Sequence, residues 1–170
     1  MTGGLLPVQQ GPVDIRDGVI TLQPAKEADF EVLLAYVECY YNLDDIAFDR
    51  ERCGGALLQL LRDEALGLAR FICVGEKRVG YMVLTSGFDH EFGGRTANLT
   101  DFYLEEGQRS RGVGAKALDL LLAEARTIGF VAIELQVIHH NVRARHVYER
   151  HGFEALDRMP MILRLDAKQV

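Results

Sequence analysis

Residues 108–125 read QRSRGVGAKALDLLLAEA. Two arginines and two glycines run without a break into an apolar helical pattern, an arrangement suited to holding a phosphate. In Arg109-Ser110-Arg111-Gly112-Val113-Gly114, successive backbone N–H groups and the positive end of a helix dipole can face an anion. Gly112 and Gly114 permit close approach and unusual φ values, and Arg109, Arg111 and Lys116 add charge. Three phosphate loops compete for this stretch. A P-loop requires G-x-x-x-x-G-K-[ST], but here Gly114 is followed by Ala115-Lys116-Ala117, without the hydroxyl or the spacing. A dinucleotide fingerprint is met in form by residues 112–117, with Glu134 about twenty residues past Gly114. Glu134, however, falls inside an apparent strand rather than at its end, and too little chain follows Ala117 for the rest of a doubly wound domain. The third reading is R-x-x-G-x-G between a strand and a helix. Taken alone, those six residues read better as an ordinary glycine-rich strand–helix connection.

A second motif follows, NVRARHVYERHGF, from Asn141. Its Asn141 and Tyr148 are two helical turns apart and can face the same way. The order strand, R-x-x-G-x-G, helix, strand, then N-x-x-A-x-x-x-Y-x-x-x-G-F resembles the GNAT superfamily of N-acetyltransferases. The resemblance runs from the strand at 18–25 to the end and is strongest over 96–154. The stretch GGRTANLTDFYLEEGQRSRGVG is similar to the diamine acetyltransferase branch.

The resemblance implies an α/β fold with a mixed, mostly antiparallel central sheet of about seven strands, flanked by helices on both faces. It implies acetyl-CoA as acyl donor, with its pyrophosphate on Arg109, Ser110, Arg111, Gly112, Val113, Gly114 and the adjoining Ala115. Phe102, Tyr103 and Leu104 would pair with the pantetheine as an added strand, and the Leu104 N–H would polarise the thioester carbonyl. Asn141, with Ala144 in the same motif, would hold the pantetheine arm. Tyr148 would give a proton to the departing thiolate, which a phenol of pKa about 10 can do as charge builds. Without the motif around it, Tyr148 reads as a half-buried helix aromatic beside Phe153.

The expected reaction is direct attack of a neutral amine, since no cysteine stands in a nucleophile context. An amine of pKa near 10 arrives protonated, so a base is useful. Asp101 is the first candidate, and it can equally bind a second ammonium of the substrate. The diamine branch carries Glu just before this position, whereas this chain has Thr100. Glu91 is a second candidate base or acceptor ligand, or else a solvated loop charge. In CYYNLDDIAFDR, residues Tyr40, Tyr41, Asp44 and Asp45 form either an acidic aromatic pocket for a cationic amine or a solvated surface turn. Neither the histidines nor the cysteines show zinc-ligand spacing, and the chemistry needs no metal. Two other functions remain: an acyl-CoA-binding sensor without turnover, and acetylation of a protein N-terminus or lysine. Many relatives are homodimers, so a homodimer is the expected assembly.

These groups need elements to position them. GVITLQPA reads as a first strand, and Phe30, Leu33, Leu34 and Val37 fall at helical spacing. A second helix is expected over about 51–64. LARFICVG and RVGYMVLTS read as a hairpin with a tight Gly-Glu-Lys turn, and TANLTDFYLEE as another strand. The helix after the loop carries Leu118, Leu121, Leu122, Ala125 and Ile128 on one face and stops at Gly129. FVAIELQVI, a helix from Asn141 to Gly152, and final strands in FEAL and MPMILRLD complete the order β-α-α-β-β-β-α-β-α-β-β. That order implies a mixed sheet with helices on both faces.

At 170 residues, 48% hydrophobic and 26% charged, the chain is expected to be one globular domain over 18–170 behind a flexible tail over 1–17. Net charge −6 argues against nucleic acid and suits a cationic substrate. Three scattered cysteines argue against a disulfide framework and point to a reducing cytoplasm. The start lacks a secretory signal, and no apolar run approaches the ~20 residues that span a bilayer, so no membrane partner is expected.

Overall fold

The computed structural model describes residues 18–165, and the expected tail over 1–17 lies outside them. The chain divides into two compact units, one ending at Gln136 and one beginning at Val137.

The first unit is a five-stranded sheet in sequence order: β1 (Ile20–Pro24), β2 (Gly67–Val74), β3 (Lys77–Asp89), β4 (Gly94–Leu104) and β5 (Ala132–Leu135). Neighbours are antiparallel except β4 and β5, which are parallel. The parallel step follows from α3 (Val113–Ile128), whose crossover returns the chain in the β4 direction. α1 (Phe30–Leu43) and α2 (Arg50–Arg62) connect β1 to β2.

The two faces have separate cores. Leu33, Leu34, Tyr36 and Val37 of α1 pack with Phe71 and Cys73 of β2, Tyr81 and Val83 of β3, and Tyr103 of β4. Phe71 pairs with Tyr81, and Tyr81 with Tyr103, so one aromatic row crosses three strands. On the opposite face, α3 buries Val113, Ala117, Leu118, Leu121 and Ala125, a stripe at helical spacing. Each fully buried leucine there contributes about 2 kcal/mol. Arg70 of β2 reaches this helix and donates to Glu124 at 3.0 Å. Helices therefore flank both faces, as the element order implied.

The strand count differs from expectation. Residues 153–165 form neither helix nor strand, so neither FEAL nor the described part of MPMILRLD adds to a sheet, and the described residues hold five strands where about seven were expected. Their composition favours a strand, but a strand exists only where a neighbour completes its ladder, and Pro160 brings no N–H. Met159, Met161, Ile162, Leu163 and Leu165 stay exposed. β5 is also shorter than the apolar run 130–138 that announced it.

In the second unit α4 (Val142–Arg150) is the only regular element among the described residues.

Candidate functional site

The loop before α3 has the geometry its composition requires. Ser110 and Gly112 both adopt positive φ, 64° and 82°. Gly112 meets that need at no steric cost and is the N-cap of α3. The first helical bond runs from the Lys116 N–H to the Gly112 carbonyl (3.1 Å). Among the described residues, no side chain caps this end and no acidic residue occupies its first turn. The first turn thus brings no carboxylate of its own to the positive end of the helix. Val113, wholly buried, anchors the turn. Gly114 lies so close to β4 that a Cβ there would come within 3.3 Å of Leu104 Cδ1 and 3.5 Å of Phe102 Cζ.

β4 is shaped to face this turn. β5 runs beside it only over residues 96–99, so residues 100–104 extend past the end of β5. The Glu105 N–H donates to the Val79 carbonyl at 2.9 Å. By strand alternation, the N–H and C=O of Leu104 point away from β3. The Leu104 carbonyl accepts from Arg109 Nε at 2.8 Å. The Arg109 guanidinium carbon also sits 5.6 Å from the centroid of the Tyr103 ring. Arg109, expected to serve a phosphate through charge, therefore also ties the loop to the end of β4.

Asp101 owes its position to a β-bulge. Val83 pairs with Asp101 but Leu84 with Leu99, so Thr100 is an extra residue in β4. Strict alternation would put Leu99, Asp101 and Tyr103 on one face. The extra residue sends Leu99 to the α3 side and leaves Asp101 with Tyr81, Val83 and Tyr103 on the α1–α2 side. Thr100, the departure from the diamine pattern, is thus the bulge residue. The Asp101 Oδ2 accepts a hydrogen bond from the Tyr81 hydroxyl at 3.0 Å. Burial raises the Asp101 carboxyl to about 6, and the Tyr81 bond offsets part of that rise. Tyr81 is wholly buried, and its phenol is pushed well above its usual value by burial and then by the Asp101 charge.

Two of the four candidate acceptor residues on α1 and its exit join this group. Tyr40 and Tyr41 lie near enough to raise the Tyr81 phenol, and the Tyr41 phenol is itself raised by burial and then by Asp101. Tyr41 also bonds Cys53 of α2. Its ring meets Tyr40 edge-on at 5.9 Å and Phe48 at 5.8 Å. Asp44 and Asp45 sit in the turn that ends α1. The Asp44 N–H closes the helix on the Tyr40 carbonyl (3.1 Å), and exposed Asp45 takes φ 54°. Asp tolerates that conformation better than most residues, which gives its type a local reason. Glu91 is exposed on the β3–β4 turn, where its N–H donates to Asp89. Sequence reasoning missed Tyr81 and Phe48. Tyr81 lies two cross-strand positions from Asp101, a relation that only register reveals.

In the second unit Asn141 caps α4, its Oδ1 accepting from the Ala144 N–H at 3.1 Å. The N-x-x-A spacing is thus an N-cap and its N3 position. The helix ends in a Schellman turn. Gly152 takes φ 89°, its N–H donates to Glu149, and the Phe153 N–H donates to Tyr148. The two rings meet at 5.7 Å. The Y-x-x-x-G-F spacing therefore encodes a helix stop with its apolar contact, whatever else Tyr148 does.

Residues 30–153 match the model of the acetyltransferase (GNAT) family. The chain is 39% identical over 61 residues to the uncharacterized N-acetyltransferase YycN of Bacillus subtilis (strain 168), a match covering 36% of this chain and 39% of that protein. Among solved structures, the integron cassette protein HFX_CASS3 from the mobile metagenome of Cole Harbour Salt Marsh superposes with TM-score 0.75. It is 29% identical, and the match covers 86% of this chain and 91% of the other. A predicted acetyltransferase of Clostridium acetobutylicum, solved with acetyl-CoA, shares the fold with TM-score 0.72 at 17% identity, over 89% and 100% of the two chains.

Proposed function

The chain belongs to the acetyltransferase (GNAT) family, and we propose that it moves the acetyl group of acetyl-CoA directly to a primary amine of a small cationic acceptor, with Asp101 as the base. The observation that carries this reading is the half-buried Asp101 carboxylate, raised to about 6, bonded by Tyr81 and neighboured by Tyr41. Such a group is mostly ionised at neutral pH, yet is a better proton acceptor than an ordinary carboxylate. The neighbouring rings favour an approaching ammonium. Asp44, Asp45 and Glu91 are the candidates for a second positive charge on the acceptor.

Acetyl-CoA supplies the acetyl group as an activated thioester. Arg109, Ser110, Arg111, Gly112, Val113, Gly114 and Ala115 would hold its pyrophosphate. The first turn of α3, which carries no acidic residue, and the left-handed Ser110 and Gly112 support that reading. Phe102, Tyr103 and Leu104 would align the pantetheine, and the Leu104 N–H would stabilise negative charge on the carbonyl oxygen; the outward direction of that N–H supports it. Asn141 and Ala144 would contact the pantetheine arm. Asp101 takes the proton from the attacking nitrogen, and Tyr148 returns one to the sulfur as it leaves. The chemistry asks for no metal. Residues 18–170 act as one acyltransferase domain in this reading, supported by a family match that spans both units. The enzyme is taken to be a homodimer in a reducing cytoplasm, and light scattering at micromolar concentration checks the first point.

The test is release of CoA thiol from acetyl-CoA across a panel of monoamines, diamines, polyamines, and peptides with free N-termini or lysines. Turnover on small amines is expected. Tight acetyl-CoA binding without turnover on any amine would refute the reading in favour of a sensor, and turnover on peptides alone would move the acceptor to protein.

A further inference from the structure

We propose that Tyr81 is a positioning residue for the reaction: its hydroxyl aims the Asp101 carboxylate and sets the pH range over which that carboxylate can take a proton. This rests on the reading of Asp101 as the base.

The geometry is specific. Tyr81 stands on the central strand with no exposed surface. Its ring forms a three-ring cluster with Tyr36 and Tyr103, both at 6.2 Å, and lies opposite Phe71 of β2. A ring fixed on these sides has little freedom to redirect its hydroxyl. That hydroxyl meets Asp101 Oδ2 at 3.0 Å. A buried phenol needs an acceptor, and any backbone carbonyl would satisfy it. Here the acceptor is instead the side chain that the Thr100 bulge turns onto the Tyr81 face. Once Oδ2 accepts this bond, the carboxylate is restrained in rotation and Oδ1 is the less engaged of its two oxygens.

The surroundings of Asp101 set the direction of the effect. Tyr81 faces it from β3, Tyr41 approaches it from α1, Tyr40 of α1 approaches the Tyr81 hydroxyl, and Cys53 of α2 bonds Tyr41. On β4 itself, Tyr103 shares the face and Thr100 bonds the Val83 carbonyl. Burial drives the carboxyl upward and the Tyr81 hydroxyl pulls it back down. Loss of that hydroxyl should raise the Asp101 midpoint by about one pH unit, since a hydrogen bond to a charged group is of that size. At pH 6.5 the ionised fraction would then fall about threefold.

The test is a 13C-carboxyl NMR titration of the protein without substrate, with the Asp101 resonance assigned by its loss in Asp101→Asn, alongside the pH dependence of kcat. In Tyr81→Phe both the Asp101 midpoint and the acid limb of kcat should move up by about one unit, with the KM for acetyl-CoA unchanged. An unmoved midpoint in folded Tyr81→Phe would overturn the proposal. Should that variant fail to fold, 3-fluorotyrosine at position 81 keeps the packing and strengthens the donor. The midpoint should then fall, and an unmoved one overturns the proposal equally. If Asp101→Asn turns over normally, the base reading fails and takes the catalytic role of Tyr81 with it. If Asp101→Asn is inactive but neither Tyr81 variant shifts the titration, Tyr81 alone is refuted.

Discussion

Asp101→Asn should make the protein more stable at alkaline pH while removing its activity. The carboxyl titrates at about 6 in the folded chain against an ordinary value of 3.8. A group whose folded value is raised favours folding fully below its unfolded value, and that contribution is lost as pH rises through the folded value. Asp101 therefore opposes folding above pH 6 relative to a neutral side chain. Two pH units correspond to a ceiling of about 3 kcal/mol. Water reaching the half-buried carboxylate reduces this to about 1–2 kcal/mol. Asn has the same shape, carries no charge, and still accepts the bond that Tyr81 donates to Oδ2. All other titrating groups are common to both proteins, so their difference isolates position 101. The assay is urea unfolding of both proteins at pH 8, 6 and 4, with matched slopes. Asn should lead at pH 8, and the lead should shrink mainly between pH 6 and pH 4. A variant less stable than the parent at pH 8, or a difference constant across pH, would refute the reasoning. CoA release measured on the same samples should show turnover falling as stability rises.

Three further outcomes are expected. Gly112→Asp places a negative charge at the α3 N-terminus, where Asp suits a helix but opposes a pyrophosphate. With φ 82° the stability cost should stay at about 1 kcal/mol, while calorimetry shows acetyl-CoA affinity falling at least about tenfold; unchanged affinity would remove the loop from the donor site. Tyr148→Phe keeps the ring contact with Phe153 at 5.7 Å and should lower kcat about tenfold or more with acetyl-CoA binding intact; full turnover across the pH range would end the proton-donor role. Tyr36→Phe deletes a buried hydroxyl lying 3.0 Å from both the Arg78 carbonyl and the Glu105 carboxylate. Thermal unfolding should show a loss of about 1–3 kcal/mol, and no measurable loss would mean that bond does not hold the end of β4.

Much of the fold was legible because its signals are local. The apolar stripe of α3 and the glycine at its end marked one helix, and two apolar runs joined by a tight Gly-Glu-Lys turn marked a hairpin. The motif N-x-x-A-x-x-x-Y-x-x-x-G-F was legible for a reason beyond function. It encodes an N-cap, a C-terminal glycine and a ring contact, all set by neighbours within a few residues. The terminal strands failed for the complementary reason. The apolar composition of residues 159–165 says that they could pair, and nothing local says with what.

The sequence by itself determined the glycine-bearing turn into α3, the helix ends and the choice of Asp101 as a carboxylate worth attention. Only the tertiary structure decided what Asp101 is. One extra residue at Thr100 turns it to the face of Tyr81, and burial among aromatic side chains from α1 and β3 then raises its carboxyl to about 6. Loop conformation and helix capping depend on neighbours in the chain. Strand register and desolvation depend on residues many positions away, and these are what lift the carboxyl of an ordinary aspartate.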